Sequence, residues 1–551
     1  MFIHLFVLIS LFLRCTKIAR KTRKKAMKKF LIVFVSGVLM GLTPAPVYAW
    51  FLAWGAIVPL WILLIYNPQK PKSNHLDFNK KNPVKENFLL GLMWGFGYHG
   101  LALSWITGVH PMTWMGVPWL ASLAIALFCW VFIASWGAIL VGIWSLGMTW
   151  INSKFKLTFV GLRVLIGVAL WCALETLWSQ GDLWWTSLSY TQSPHNLLIL
   201  HLAQISGPLT ITASIVAING LIAEIIIYLL THKPNSLKLT LKLLSIPIAL
   251  LLTLHLIGFI LYNRPLVNSN DSAIKVGIIQ GNIPNEIKLY PLGWKKAIEG
   301  YTKGYNLLAD EKVDIILTPE TALPFFWKDI VNNSSFYQAI LDKKVPAWLG
   351  AFGEQGKSYT NSLFTVTGEG KRFSRYNKVI LVPLGEYIPF EEILGGIINR
   401  LSPLDAHLTR GKPNQIFDTP FGRAIVGICY ESAFSEQFRR QATQGGEFII
   451  TSSNNAHYSP TMPAQHHAQD VMRAVETDRW AARATNTGYS GIVDPKGRTL
   501  WISGLNTYET HADTIYRQQT KTLYVRWGDW LTKGLILMAI ASLMINNKIT
   551  Q

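Results

Sequence analysis

"RAIVGICYES", Arg423 to Ser432, is a short run of apolar, partly β-branched residues that stops abruptly in Cys, Tyr, Glu and Ser. That is the pattern of a buried strand whose last residues leave the sheet carrying chemistry. Three other stretches repeat it: "IKVGIIQGNIP" (Ile274 to Pro284), "DIILTPETA" (Asp314 to Ala322) and "EFIITSSNNA" (Glu447 to Ala456). Between them, "WKKAIEGYTKGYNLLADEK" and "AQHHAQDVMRAVETDRWAARA" carry apolar residues at helical spacing. Strands alternating with helices predict an α/β domain, and in such sheets ligands gather beyond the strand ends. The polar residues waiting there are Glu320, Cys429 with Glu431, and Asn454 with Asn455.

Outward from this region the chain changes solvent. Of 551 residues, 50% are hydrophobic and 15% charged, with 22 Trp, which excludes a disordered chain. Apolar stretches long enough for a bilayer lie at roughly 30 to 43, 47 to 66, 88 to 107, 118 to 150, 160 to 180, 198 to 231, 243 to 262 and 530 to 546. About eight transmembrane helices are expected, the first two forming a tight hairpin at Pro44 and Pro46. The net charge of +20 belongs to this membrane half: from Arg264 to Arg526 there are 29 Lys or Arg against 25 Asp or Glu. A nucleic-acid partner, which needs a basic soluble surface, is therefore not expected. Basic residues fill alternate connections, with nine between Arg14 and Lys29, five between Lys70 and Lys85, then Lys154, Lys156 and Arg163, then Lys233, Lys238 and Lys242. The connections near 108 to 117 and 181 to 197 hold none. Because basic flanks stay cytoplasmic, both termini are expected inside and the polar domain outside.

The expected divisions are a basic extension over 1–29, a membrane domain with seven helices over 30–262, an outer catalytic domain over 263–527, and a last transmembrane helix over 528–551. Met1 to Leu13 reads as a signal-like segment or an extra anchor, and Met27 as an alternative start. Trp94, Trp105, Trp184 and Trp185 are expected at the membrane interface or as ordinary packing. Of Cys15, Cys129, Cys172 and Cys429, only Cys429 lies in the outer domain, so no disulfide forms within it and the thiol is either inert or reactive. A reactive thiol needs a neighbouring base or cation. Glu320 ends one strand, and Lys378 lies in "RYNKVILVPLGEYIPFE", a loop mixing charged, aromatic and proline residues. Adjacent His466 and His467 in "QHHAQD" lack the two-turn spacing of a zinc helix, so no metal is expected, and scattered glycines give no nucleotide loop.

"LTPETALP" with Glu320, "RYNKVILVPLGEYIPFE" with Lys378 and Glu386, and "GICYES" with Cys429 and Glu431 resemble, in that order, the Glu-Lys-Cys motifs of the nitrilase superfamily. The likeness is closer to its membrane-embedded branch, the apolipoprotein N-acyltransferases. It extends to "GLMWGFGYHGLALSW", "SYTNSLF" with Asn361, "MRAVETDRWAARATNTG" after the last strand read here, and "LYVRWGDW", covering the chain from about Met27. This chain departs from the usual motifs at Thr318, where the family has Trp, and in "SNNAHYSP", where His457 and Tyr458 replace Trp and Phe.

The resemblance implies a polytopic α-helical membrane domain plus an extracytoplasmic αββα sandwich, in a cell inner membrane with the sandwich on the periplasmic side. It implies ping-pong transfer of an acyl chain from a phospholipid, through a Cys429 thioester, to the α-amine of a diacylglyceryl-cysteine on an apolipoprotein. In that scheme Glu320 is the general base, with a raised pKa, and Lys378 stabilises the oxyanion with a backbone N–H after Cys429. Glu386, Glu431 and Asn361 support them, and no cofactor is implied. A membrane-tethered amidase or hydrolase is the alternative. A non-catalytic binder is disfavoured by the intact Glu320, Lys378 and Cys429.

Overall fold

The computed structural model describes all residues except 1–21, 67–82, 156, 158, 233–235, 267, 357, 384, 388–407, 457 and 551. Expectations that fall on Met1 to Leu13, Cys15 and His457 lie outside the described residues, as does most of the Lys70 to Lys85 connection.

All eight apolar stretches are helical. They give α1 (Thr22–Gly41), α2 (Val58–Ile65), α3 (Pro83–Ala102), α4 (Trp119–Phe155), α5 (Val160–Trp178), α6 (Pro208–His232), α7 (Leu237–Tyr262) and, at the far end of the chain, a helix over Trp530–Thr550. Five of these, α4 to α7 and the last, are long and apolar enough to cross a membrane by length and composition. Two stretches are broken. The second begins with a 3-10 turn, Trp50–Trp54, before α2. The sixth is interrupted at Gly207, whose φ of 77° no helix accommodates, leaving two short turns before α6. Close helix packing is bought with small residues: a Cβ on Gly37 would meet the Trp94 carbonyl oxygen at 2.1 Å. Trp94 is fully buried and donates to the Ala56 carbonyl. Trp105, Trp184 and Trp185 are buried as well, so all four expected interface tryptophans pack inside the protein.

The region between α7 and the last helix is a two-sheet sandwich. The first sheet runs β13-β1-β2-β4-β5-β6, with β3 also on β4, from β1 (Ala273–Gln280), β2 (Ile315–Leu317), β3 (Leu323–Phe326), β4 (Ala347–Gln355), β5 (Ser358–Val366), β6 (Arg372–Asn377) and β13 (Glu509–Tyr516). The second runs β12-β11-β10-β9-β8-β7, from β7 (Phe417–Thr419), β8 (Gly422–Ile428), β9 (Phe448–Ser453), β10 (Ala481–Thr485), β11 (Gly491–Val493) and β12 (Thr499–Ile502). The central strands of each are parallel. Val276, Ile278, Leu317 and Trp348 of one sheet pack against Val426, Ile428, Ile450 and Ala482 of the other. On the outside of the first sheet lies α8 (Pro291–Asp310), through Tyr301, Tyr305 and Leu308. On the outside of the second lie α9 (Ser435–Thr443) and α10 (Thr461–Thr477). This is the αββα order.

The helical reading of "AQHHAQDVMRAVETDRWAARA" holds only to Thr477. Asp478 takes a left-handed conformation, φ 58°, and Ala481 onward forms β10, fully buried between β9 and β11. A strand buried on both faces has no alternation to separate it from a helix. Four strands therefore follow the stretch read as the last one.

The sandwich is not packed apart from the helices. Ile425, Ile449, Ala481 and Val493, on the outer face of the second sheet, share one buried cluster with Phe438, Val471 and Val475 of its helices and with the membrane core around Trp144 and Trp171. Tyr190 donates to the Ala433 carbonyl at 2.9 Å, Ser193 to Ala468 at 2.6 Å and Gln204 to Val475 at 3.1 Å.

Candidate active site

Glu320 follows β2, Lys378 follows β6, Cys429 follows β8 and Asn454 follows β9, so the parallel strands β2, β8 and β9 and the antiparallel edge strand β6 deliver their carboxyl ends to one place. The two sheets are stitched there by Ser452, whose hydroxyl donates to the Thr318 carbonyl at 3.1 Å. Thr318, where the nitrilase pattern has Trp, donates its hydroxyl to the Trp348 carbonyl and accepts the Gly350 N–H at 3.1 Å. It thus ties β2 to β4. Gly350 is itself required: a Cβ there would lie 2.0 Å from the Pro319 carbonyl oxygen.

The structure brings Glu320, Lys378 and Cys429 together, all buried. Lys378 Nζ lies 2.9 Å from Glu320 Oε1 and 2.9 Å from Glu386 Oε1. Asn361, on β5, donates from Nδ2 to both carboxylates, at 2.6 and 3.1 Å. The other oxygen of Glu320 accepts the Asn454 N–H at 2.8 Å, while the thiol of Cys429 faces the carbonyl of the same Asn454 at 3.8 Å. The backbone of Asn454 thus contacts both Glu320 and Cys429.

Cys429 sits at φ 52°, in the left-handed region a side chain pays for, at the corner where β8 turns into a 3-10 helix, Cys429–Ala433. Two braces hold that corner. Glu431 makes no ion pair among the described residues. Instead Oε1 accepts the N–H groups of Val379 and Ile380, at 2.6 and 3.1 Å, and Oε2 that of Ile428 at 2.7 Å. It fastens the Cys429 corner to the segment that follows Lys378. His466, on α10, sits 2.7 Å by Nε2 from the Cys429 carbonyl and 3.2 Å by Nδ1 from Asn455 Nδ2. Burial, helped by Arg483, pushes its pKa down to about 3. The neutral ring thus donates from Nε2 to the carbonyl and accepts at Nδ1, the tautomer its partners dictate.

Burial pushes the Cys429 thiol up to about 12, and the Glu320 charge adds to this. The resting sulfur is a thiol. For Glu320, burial works upward, but the ammonium groups of Lys378 and Lys288 more than offset it, and the carboxyl is held below its ordinary value. The sequence-based expectation of a raised value is thus corrected: two cations, with hydrogen bonds from Lys378 and Asn361, outweigh desolvation. Lys378 is held well above the ordinary lysine range, because Glu320 and Glu386 outweigh its burial. Its charge is permanent.

Lys288 is the residue that sequence reading missed. It ends a one-turn helix, Asn285–Lys288, and its buried Nζ donates to the Glu320 backbone carbonyl at 3.0 Å. "NEIKLYP" offers only a polar turn, and no local signal marks its lysine.

Loops between the membrane helices close the site from the other side. Trp185 stacks on Tyr430 at 5.8 Å and 5° and donates to Gln465, which itself donates to the Ala45 and Ala102 carbonyls. Trp105 meets Tyr458 edge-on at 4.9 Å. Tyr430 donates to the carbonyls of Asp182 and Trp184. Among the described residues no group of three His, Cys, Asp or Glu is arranged to hold a metal.

Residues 275–523 match the carbon-nitrogen hydrolase family, and residues 36–221 match the apolipoprotein N-acyltransferase N-terminal domain. A crystallised amidase from Nesterenkonia sp. is 17% identical over 48% of this chain and 95% of its own, with a TM-score of 0.35. Apolipoprotein N-acyltransferase from Nostoc sp. is 59% identical over 92% of this chain and 97% of its own length. The Synechocystis sp. protein of the same name is 50% identical over 91% and 97%. With both family matches side by side and relatives aligned over nearly their whole length, the chain belongs to the apolipoprotein N-acyltransferase family.

Proposed function

We propose that this protein moves a fatty acyl chain from a membrane phospholipid to the α-amino group of an N-terminal diacylglyceryl-cysteine on an apolipoprotein, by way of a thioester on Cys429. The observation that carries the reading is the convergence of a buried thiol, a carboxylate and a permanent ammonium beneath loops of the membrane helices. Both reactants are lipids or lipid-modified, and a site roofed by membrane loops meets them by lateral diffusion.

In the first half-reaction the thiol proton passes to Glu320 as sulfur bonds the ester carbonyl carbon. With the thiol near 12 and the carboxyl low, free proton transfer is strongly uphill, so it proceeds in concert with bond formation. Lys378 faces the carbonyl oxygen as it gains charge, with the backbone N–H after Cys429 as a second donor. The carbon–oxygen bond breaks, and Glu320 returns the proton to the departing lysophospholipid. In the second half, the neutral amine attacks the thioester, the carbon–sulfur bond breaks, and Glu320 relays a proton from nitrogen to sulfur. Asn361 and Glu386 position Lys378 and Glu320, and Glu431 fixes the corner that presents the sulfur.

Residues 30–262 and 528–551 form the membrane domain, and 263–527 the catalytic domain on the periplasmic side of the inner membrane, with 1–29 a basic cytoplasmic extension. The alternating basic connections and the five bilayer-length helices support this topology. The test supplies labelled phospholipid to the membrane-embedded protein and then a diacylated lipopeptide. Label is expected on the protein as a hydroxylamine-sensitive thioester, then on the peptide amine, and Cys429→Ser forms no thioester. Thioester on the Ser variant overturns the nucleophile. Release of label as free fatty acid in the presence of peptide favours the amidase-like hydrolase.

A further inference from the structure

The centre holds two carboxylates, the buried Glu320 and the part-buried Glu386, and Lys378 contacts both. One ammonium shared between them leaves the buried carboxylate only partly compensated, and uncompensated charge in a dry site is costly. Lys288 supplies the missing charge. It is 3% exposed, and its bond to the Glu320 carbonyl pins the residue preceding Thr321, which is itself left-handed at φ 44°.

We propose that Lys288 is a second positioning cation of this site: it anchors the backbone of Glu320 and, by its charge, keeps the buried carboxylate ionised so that it can receive the thiol proton. The proposal rests on the reading of Glu320 as the base for Cys429, but not on the identity of the acyl donor or acceptor. Around Glu320 the other charged or titratable groups are Lys378 and Glu386 from the loop after β6, Cys429 after β8, Tyr458 after β9 and His466 on α10. Lys378 is spent on both carboxylates and stays charged, Tyr458 is pushed up to a value out of reach, and His466 stays neutral. Lys288 adds to Lys378 and to the hydrogen bond from Asn361 in holding Glu320 low, and Lys288, lowered by burial to about 8, is charged at neutral pH.

The experiment follows iodoacetamide capture of Cys429 in the full-length, membrane-embedded protein, with Cys15, Cys129 and Cys172 replaced by Ala, from pH 4 to 9. This small probe needs no lipid, so its result is independent of whether the protein acylates lipoproteins. Lys288→Gln keeps a donor for the carbonyl and removes the charge. Lys288→Arg keeps the charge. Removing the cation destabilises the carboxylate, so the acid limb of the rate profile moves to higher pH. A displacement of one pH unit is a tenfold slower reaction on that limb. The expected result is a loss of at least tenfold at the acid end for Lys288→Gln, recovery of its rate toward neutrality, and a Lys288→Arg limb close to that of wild type. A uniform loss at every pH, or no loss at all, overturns the proposal. Failure of Lys288→Gln to accumulate as folded protein, judged by thermal unfolding in detergent, also overturns it, because the residue would then serve folding.

Discussion

Replacing Glu431 by Gln removes one oxygen from a carboxylate that gathers three backbone N–H groups out of water. The side chain is fully buried, and its acceptances from Val379, Ile380 and Ile428 run from 2.6 to 3.1 Å. If the amide oxygen keeps Val379 and Ile380, the amide nitrogen confronts the Ile428 N–H, donor against donor. An unsatisfied buried donor costs about 1–3 kcal/mol, and the two retained bonds, no longer charge-assisted, weaken by about 1 kcal/mol each. Relief from burying a charge offsets part of this, since burial already raises the Glu431 carboxyl. The net loss is about 2–4 kcal/mol. At roughly 2–4 °C per kcal/mol for a domain of this size, the unfolding midpoint falls by about 5–15 °C. Tryptophan fluorescence on heating in detergent measures it. Because the same three bonds join the Cys429 corner to the segment after Lys378, iodoacetamide capture of Cys429 should slow at a temperature where both proteins are folded. A Glu431→Gln protein that unfolds within 1 °C of wild type and captures the probe at the wild-type rate would refute the bracing role.

Gly350→Ala forces a Cβ to within 2.0 Å of the Pro319 carbonyl oxygen, so the Glu320 segment must move; stability should drop by about 2 kcal/mol or more and thioester labelling should be lost, read by thermal unfolding and gel autoradiography. His466 is neutral in the fold down to about 3 but charges at about 6.5 when unfolded, so the folded state loses stability as pH falls below 6.5. By pH 4 the loss from this group is about 3 kcal/mol, and His466→Gln should flatten that part of the denaturation curve. The Cys429 thiol is raised to about 12 against roughly 8.5 unfolded, so stability falls as pH rises above 8.5, and Cys429→Ser should remove that alkaline loss. The topology is checked with single cysteines introduced at exposed positions. Ser269→Cys should react with an impermeant maleimide on intact spheroplasts, and Ser153→Cys only after permeabilisation.

The site was legible where the chain writes chemistry into strand ends. Glu320 and Cys429 follow short apolar runs, so local pattern places both beyond a sheet edge, whereas Lys378 reads only as part of a mixed loop and joins them through the family resemblance; the strand before it, β6, is polar and carries no such signal. What stayed hidden is set by distance. Lys288 lies 32 residues before Glu320 and touches its carbonyl through a turn with no apolar periodicity. Strand β10 was read as the end of a helix because Ala481 to Thr485 are buried on both faces and show no alternation. The direction of the Glu320 shift was also illegible, because desolvation can be guessed from an apolar strand, whereas the groups that outweigh it, Lys378, Lys288 and Asn361, come from distant parts of the chain. Of the two readings of the tryptophans, membrane interface or ordinary packing, the structure takes packing, for a related reason. Trp185 finds a ring and an acceptor on the catalytic domain, Tyr430 and Gln465, which no reading of the membrane half alone would supply.

That docking explains why α10, rich in polar and charged residues, is nonetheless buried. In a free-standing sandwich the outer faces of α9 and α10 would meet water and be polar. Here α10 is buried along nearly its entire length, from Met462 to Thr477, and holds His466, Gln465 and the Arg473–Glu476 ion pair inside the protein. Its partners are the loops of the membrane helices: Ser193 and Gln204 bind its carbonyls, and Trp185 its glutamine. The helix that orients the Cys429 carbonyl through His466 is therefore held in place by the membrane domain. Positioning the sulfur and seating the catalytic domain on the membrane helices depend on the same contacts, so the sandwich cut away at residues 263 and 527 would expose an apolar face and release the corner that presents the thiol.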